Sequence, residues 1–203
     1  MFSLGHSNLP IERFLEILTQ SEVTAIADVR SSPYSSRSPW FNQRDLKLRL
    51  KEAGIAYAFL GMELGGRPKE PALYRAGVAD YSAMAKTSTY LRGLERLLSG
   101  AERHCVAMVC SERDPLECHR CLLIGRSLAE LSIDTCHIHQ DGRRELQSQA
   151  VKRLLKEEKI PLEDMLWTWE ERVNTAFERR NCRAAFSLNS DRKPEEAWRI
   201  YST

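Results

Sequence analysis

Residues 105–132 read CVAMVCSERDPLECHRCLLIGRSLAELS. The run from Cys105 to Cys110 is apolar and contains two valines, so it predicts a buried strand. The segment from Cys118 to Ser132 carries its apolar residues at helical spacing. Between them lies a polar loop that contains Pro115 and no glycine. A strand, a loop and a helix in that order are the repeating unit of a parallel sheet.

The alternation extends in both directions. FSLGHS (2–7) predicts a short strand ending in a polar turn, and Pro10 opens a helix over 10–21 whose Ile11, Phe14, Leu15 and Leu18 share a face. VTAIADVR (23–30) predicts a buried strand running into a loop rich in serine and proline. RDLKLRLKEAG (44–54) predicts an amphipathic helix closed by Gly54, followed by the strand IAYAFL (55–60). The stretch GMELGGRPKEPALYRAGVAD (61–80) has the glycines, prolines and mixed charge of an irregular loop, and loops of that length inside compact domains are often functional lids. Helical periodicity returns over 80–99, clearest at Leu91, Leu94, Leu97 and Leu98, and IDTCHIH (133–139) predicts the last strand.

About five strands separated by helices predict an α/β fold, with a mostly parallel sheet and helices on both faces. From Asp141 the composition turns helical and highly charged, and Pro161 opens a helix carrying Trp167, Trp169 and Phe177. The expected organisation is an α/β core domain over 1–140 and a helical C-terminal extension over 141–203 packed on it.

Thirty basic and 28 acidic residues leave a net charge of +2, too small a field to argue for nucleic acid as a general partner. No apolar run is long enough to span a membrane and no export signal is visible, so a soluble cytoplasmic protein is expected. Six cysteines would suggest disulfides in a secreted chain. Here reduced thiols are expected.

In parallel sheets, ligands bind beyond the carboxyl ends of the strands. Those ends collect His6 and Asn8, then Asp28 and Arg30, then Glu63 to Arg67, then Cys110, and finally His137 and His139. Cys110 precedes a helix N-terminus, with Arg113 and Arg120 nearby, a setting that favours a thiolate or an anionic ligand. A buried apolar cysteine is the competing reading. A zinc site is another, because Cys118 and Cys121 are spaced C-x-x-C and Cys110, His119 and His137 offer further ligands. Against it, the C-x-x-C opens a helix and no second pair stands at finger spacing, so no metal and no cofactor are expected. Cys105 and Cys121 are expected in the core.

Asp28 and Arg30 point the same way on an extended strand, either as a structural pair or with Arg30 as a fork for an anion. His6 has the ordinary pKa of a proton-transfer group, or merely caps a turn. The ELGGR segment offers Arg67 on a flexible backbone. The aromatics and arginines of SPYSSRSPWFNQR could contact bases or phosphates, or fold against the core.

Five ordered blocks, LGHSN, DVRSSPYSSRSPWFN, LKEAGIAYAFLGMELGGRP, YSAMAKTSTYLRGLERLL and VCSERDPLECHR, together resemble the family catalogued as domain of unknown function 488. The resemblance covers about residues 3–140 and implies an α/β fold with a shared polar site. Carried over residue by residue, it draws attention to His6, Ser7, Asn8, Asp28, Arg30, Pro33, Asn42, Gly65, Gly66, Arg67 and Tyr81. In the second half it draws attention to Cys110, Glu112, Pro115, Cys118, His119 and Arg120. Cys121 falls outside that pattern. AIADVR and VAMVCSERDPLECHR also show a looser likeness to the rhodanese group of sulfurtransferases, in which a strand-end Asp-Val-Arg accompanies a strand-end catalytic cysteine. The loop from Cys110 to Arg120 is longer than the anion-cradling loop of those enzymes.

The expectation is an enzyme, a cysteine-dependent transferase or hydrolase, acting on a small anionic or nucleotide-like ligand. Cys110 would be the nucleophile or sulfur carrier, His119 or His6 the proton-transfer group, and Arg30, Arg67 and Arg120 the anion clamp. Asn8, Asp28, Asn42, Tyr81, Glu112 and Cys118 complete the expected ligand site. The alternatives are a nucleic-acid or nucleotide-binding module without catalysis, and a zinc-stabilised scaffold.

Overall fold

A computed structural model describes residues 1–188. In chain order the regular elements are β1 (Phe2–Gly5), α1 (Ile11–Gln20), β2 (Ala25–Asp28), α2 (Gln43–Glu52), β3 (Ala56–Phe59) and α3 (Gly61–Leu64). Next come β4 (Tyr74–Arg75), β5 (Val78–Ala79), α4 (Tyr81–Met84), α5 (Ser88–Ala101), β6 (Val106–Cys110) and α6 (Arg126–Glu130). The last are β7 (Cys136–Ile138), β8 (Arg144–Leu146), α7 (Gln147–Glu157) and α8 (Trp169–Ala184).

The main sheet has the order β3-β2-β6-β1-β7-β8. Its first five members are parallel, and β8 closes the edge antiparallel to β7. The fold is therefore α/β with a mostly parallel sheet, as the strand–helix alternation predicts. Alternate residues of a strand face opposite sides, and here both sides are covered. Ile26, Ala107 and Val109 pack with Phe14, Leu18, Leu46 and Leu50 of α1 and α2. Ala27, Val106, Met108 and Cys110 face the other core, which holds Leu94, Leu97, Leu128, Leu154 and Phe177 from α5 to α8. All of β6 is buried, which explains why its sequence is continuously apolar.

The structure departs from the sequence reading in four places, one of them the helix expected to open at Pro161, which starts only at Trp169 behind the Thr168 cap and so leaves Trp167 outside it. The segment 61–80, expected to be irregular, contains the short helix α3 and a two-stranded hairpin of β4 and β5. Ala76 and Gly77 both have positive φ (52° and 78°), the backbone of a two-residue primed turn. Residues 144–146, expected to be helical, form the edge strand β8, held by pairing with β7 despite their charge. The helix expected from Cys118 onward is interrupted. It begins as a 3₁₀ turn at Pro115–Glu117, passes through a π-helical turn at Arg120–Gly125 and becomes regular only in α6. Residues 189–203 of the expected C-terminal extension lie outside the described residues. Among the described residues, no helix is long and apolar enough to cross a membrane.

Candidate functional site

Cys110 ends β6 in the middle of the sheet, between β2 and β1, with Gly5 as its register partner on β1. The chain beyond β1 continues the pairing. His6 N–H donates to the Cys110 carbonyl at 2.9 Å, and Ser7, with φ of 43°, donates to the Ser111 carbonyl at 2.9 Å. A Cβ on Gly5 would run into the Glu112 carbonyl, so only glycine lets this loop lie so close to β1. The loop then turns back. Asp114 accepts a hydrogen bond from Leu116 N–H at 2.8 Å and caps the 3₁₀ turn, which returns Cys118 and His119 toward Cys110. Arg120 fastens the loop by donating to the Glu112 carbonyl at 2.7 Å and the Arg113 carbonyl at 3.0 Å.

Four side chains converge as a result. The Cys110 and Cys118 thiols donate to the same Glu112 carboxylate oxygen at 2.8 and 3.0 Å. They lie 3.7 and 3.8 Å from His119 Nδ1. His119 Nε2 is 2.9 Å from the Val29 carbonyl, an acceptor only, so Nε2 carries a proton and Nδ1 faces the sulfurs. The ligand atoms of Cys110, Glu112, Cys118 and His119 all lie within 4.8 Å of one another.

Burial pushes the Cys110 thiol well up, and the neighbouring Cys118 and Glu112 push it further. Cys118 is the thiol that ionises first. Burial opposes its charge, but the hydrogen bond from Cys110 and the positive charges of Arg120 and His119 outweigh burial. Glu112 is raised above the usual carboxylate range by desolvation and by Cys118. His119 is raised despite its burial, chiefly through Cys118. Two sulfurs and a carboxylate thus compete for negative charge at one buried point.

A cavity of about 120 Å³ opens against this cluster. Arg67, Ser31 and Tyr81 line its other walls, together with Phe186 from beyond the end of α8. Phe186 is brought there by backbone pairing, since Ala79 N–H donates to its carbonyl at 2.9 Å. The Arg67 guanidinium lies 4.7 Å from the Phe186 ring centroid and its backbone N–H donates to Ser31 Oγ at 3.0 Å. No carboxylate pairs with the Arg67 side chain among the described residues.

The remaining expected site residues divide clearly. Arg30 lines the cavity, but its donors are taken by the Asp28 carboxylate at 2.8 and 2.6 Å and by the Phe41 carbonyl at 2.8 Å. Tyr57 adds a further hydrogen bond to Asp28 at 2.7 Å. Of the two readings of this pair, the geometry favours the structural brace. His6 stacks on Phe41 at 4.2 Å, its Nε2 lies 3.2 Å from Arg30 Nη1, and Nδ1 lies 3.0 Å from the Ser7 carbonyl. Burial, then Arg30, lowers its pKa to about 4, so it is neutral at physiological pH. His6, Asn8 and Asn42 do not line the cavity; Asn42 instead accepts from Ser35 N–H at 2.7 Å and shapes the loop before α2. Tyr81 is buried and its phenol is held neutral by desolvation.

His137 and Cys121, weighed as metal ligands with Cys110, Cys118 and His119, stand apart from the cluster. His137 lies between Ser3 Oγ and Gln147 Oε1, each at 2.6 Å, and is fully buried. Sequence reasoning missed Ser31 and Phe186. Phe186 lies far along the chain, and no local pattern places it at the cavity.

Residues 10–126 match the family described as Domain of unknown function DUF488. The matched span takes in Arg67 and the whole loop from Cys110 to Arg120, and leaves out His6 to Asn8. No curated protein and no solved structure matches the chain.

Proposed function

We propose that this chain, which belongs to the DUF488 family, is an enzyme that takes the anionic group of a small or nucleotide-like substrate into the cavity at the carboxyl edge of its sheet. Arg67 is the anchor for that group, and the cluster of Cys110, Glu112, Cys118 and His119 is the reacting centre. The observation that carries this reading is the exposed Arg67 guanidinium, with no carboxylate partner among the described residues, on the same cavity as four buried or half-buried reactive groups. A planar fork of N–H donors suits a carboxylate or phosphate. Arg30 and Arg120 give their hydrogen bonds to Asp28 and to loop carbonyls, so they preorganise the site and leave the anion to Arg67.

Size bears on the substrate. A cavity of about 120 Å³ holds one anionic group, and a neighbouring groove of about 640 Å³ shares Ser31 and Arg67 with it. Molecules with a body as well as a charged head fit that pair of spaces. A nucleic-acid module draws less support, because Arg144 and Arg180 of the C-terminal extension are engaged within the protein. Arg180 pairs with Glu117, Glu157 and Glu158, and Arg144 lies over the Phe2 ring.

The test is calorimetric titration of the full chain with phosphate, acetate and AMP, repeated with Arg67→Ala. Charge-assisted hydrogen bonds of roughly 1.5–3 kcal/mol predict a loss of about tenfold or more in affinity. Absence of saturable binding, or equal binding by the variant, would sink the proposal.

A further inference from the structure

We infer that Cys110, Cys118, His119 and Glu112 form the binding site of a divalent transition ion, with zinc the ion their donor chemistry suits best. The inference deepens the reading of this cluster as the reacting centre and rests on it for the location alone.

Three geometric features carry it. The first is spacing. Metal–sulfur and metal–nitrogen bonds of about 2.3 and 2.0 Å in a tetrahedron place sulfur and nitrogen about 3.5 Å apart. His119 Nδ1 stands 3.7 and 3.8 Å from the two sulfurs. The second is orientation. Metal-binding histidines characteristically spend their second nitrogen on a carbonyl or carboxylate, which fixes the ring and its tautomer. His119 does so through Nε2 and the Val29 carbonyl, leaving Nδ1 toward both sulfurs. The third is the poor fit of the site without a cation. Glu112 is half-buried, and the donors to its Oε2 are two thiols. Thiols are weak donors, and a desolvated carboxylate requires stronger compensation.

An ion removes that conflict. As it binds, each thiol releases its proton to solvent, the sulfurs and the Glu112 oxygen turn from one another to the metal, and His119 binds as the neutral imidazole. Two thiolates, a carboxylate and a divalent ion leave one negative charge. The guanidinium of Arg120, 1% exposed and with no hydrogen-bond partner at Nε, supplies the balancing positive charge. Its backbone N–H also donates to Cys118 Sγ at 3.5 Å, stabilising a thiolate there. Two sulfurs with one imidazole select zinc or iron over the hard cations magnesium and calcium. Cys110, Cys118 and His119 are 3%, 2% and 7% exposed, whereas Glu112 is only half-buried. All four line the cavity, the three buried ligands are the permanent set, and the more exposed carboxylate takes the position where a catalytic site exchanges a ligand for substrate.

The experiment is elemental analysis of the full chain purified without chelator, with Cys118→Ser and His119→Ala alongside and Cys136→Ser as a control outside the cluster. The expected result is about one equivalent of zinc or iron in the wild type and the control, and only traces in the two cluster variants. Should those variants fail to fold, the wild type decides. After chelation and cobalt loading it should show the sulfur-to-cobalt charge-transfer band of a tetrahedral thiolate site. In the same sample Cys110 and Cys118 should resist alkylation only while metal is bound. Folded wild-type protein that carries no transition metal and takes up no cobalt would overturn the inference. Arg67-dependent anion binding in that metal-free protein would leave the proposed function standing; metal without such binding would have the opposite meaning.

Discussion

Gly66 lies flat against the His119 ring: a Cβ at Gly66 would stand 2.8 Å from His119 Cγ and 2.9 Å from Nδ1. The glycine pair of ELGGR therefore does more than supply a flexible backbone, because Gly66 packs against the imidazole whose Nδ1 faces the two thiols. Gly66→Ala should push the ring off its position. Overpacking predicts a loss of about 1–3 kcal/mol in stability, together with weaker metal retention. Urea unfolding and metal content measured on the same preparation check this, and an alanine variant unchanged in both would show that the ring has room to move.

The buried pair of Asp28 and Arg30 should matter for stability more than for binding. Asp28 is fully buried and holds Arg30 through two of its guanidinium nitrogens. Removing one partner strands a charge, at a cost of about 3–5 kcal/mol. Asp28→Asn should therefore lower the urea midpoint strongly. A variant as stable as the wild type would assign Arg30 to the ligand after all.

Stability should decline in mildly acid solution because of two histidines. His6 and His137 ordinarily titrate near 6.5, but burial first and neighbouring arginines second lower each to about 4. As pH falls below 6.5 the unfolded chain takes up both protons while the folded chain refuses them. The loss accumulates between 6.5 and about 4, on the order of 3 kcal/mol for each histidine. Imidazole resonances of His6 or His137 that titrate near 6.5 in the folded protein would contradict this.

Glu112→Gln keeps the shape of the cluster and removes its carboxylate charge. Metal affinity should fall by at least the roughly 10–100-fold that the loss of a supporting partner costs at metal sites. In chelator-treated protein, the Cys110 thiol should alkylate at lower pH, because one of the charges that raise it has gone. Competition with a chromophoric chelator and the pH profile of alkylation read the two effects separately. Unchanged affinity would remove Glu112 from the ligand set.

Much of the fold was legible because β2 and β6 are buried on both faces and so read as unbroken apolar runs. The hairpin of β4 and β5 was hidden, since its turn places the non-glycine Ala76 at positive φ. The strand β8 was hidden as well, since its three residues owe their conformation to pairing with β7 and not to composition. At the site, the strand-end rule singled out Cys110, Arg30 and His6. It could not tell which of them keeps free hydrogen-bonding capacity. That depends on the Phe41 carbonyl and the Asp28 carboxylate, which only the folded chain brings to Arg30. The choice of metal ligands was likewise set by a turn. The 3₁₀ segment at Pro115–Glu117 returns Cys118 and His119 to Cys110 and Glu112, while His137 is held between Ser3 and Gln147.

Whether sulfur, nitrogen and oxygen meet at one ion is tested directly by X-ray absorption at the metal edge of the loaded protein. It should show two sulfur scatterers at about 2.3 Å and lighter scatterers at about 2.0 Å, the signature of two cysteines with a histidine and a carboxylate. A shell of nitrogen and oxygen alone, or of four sulfurs, would contradict the assignment.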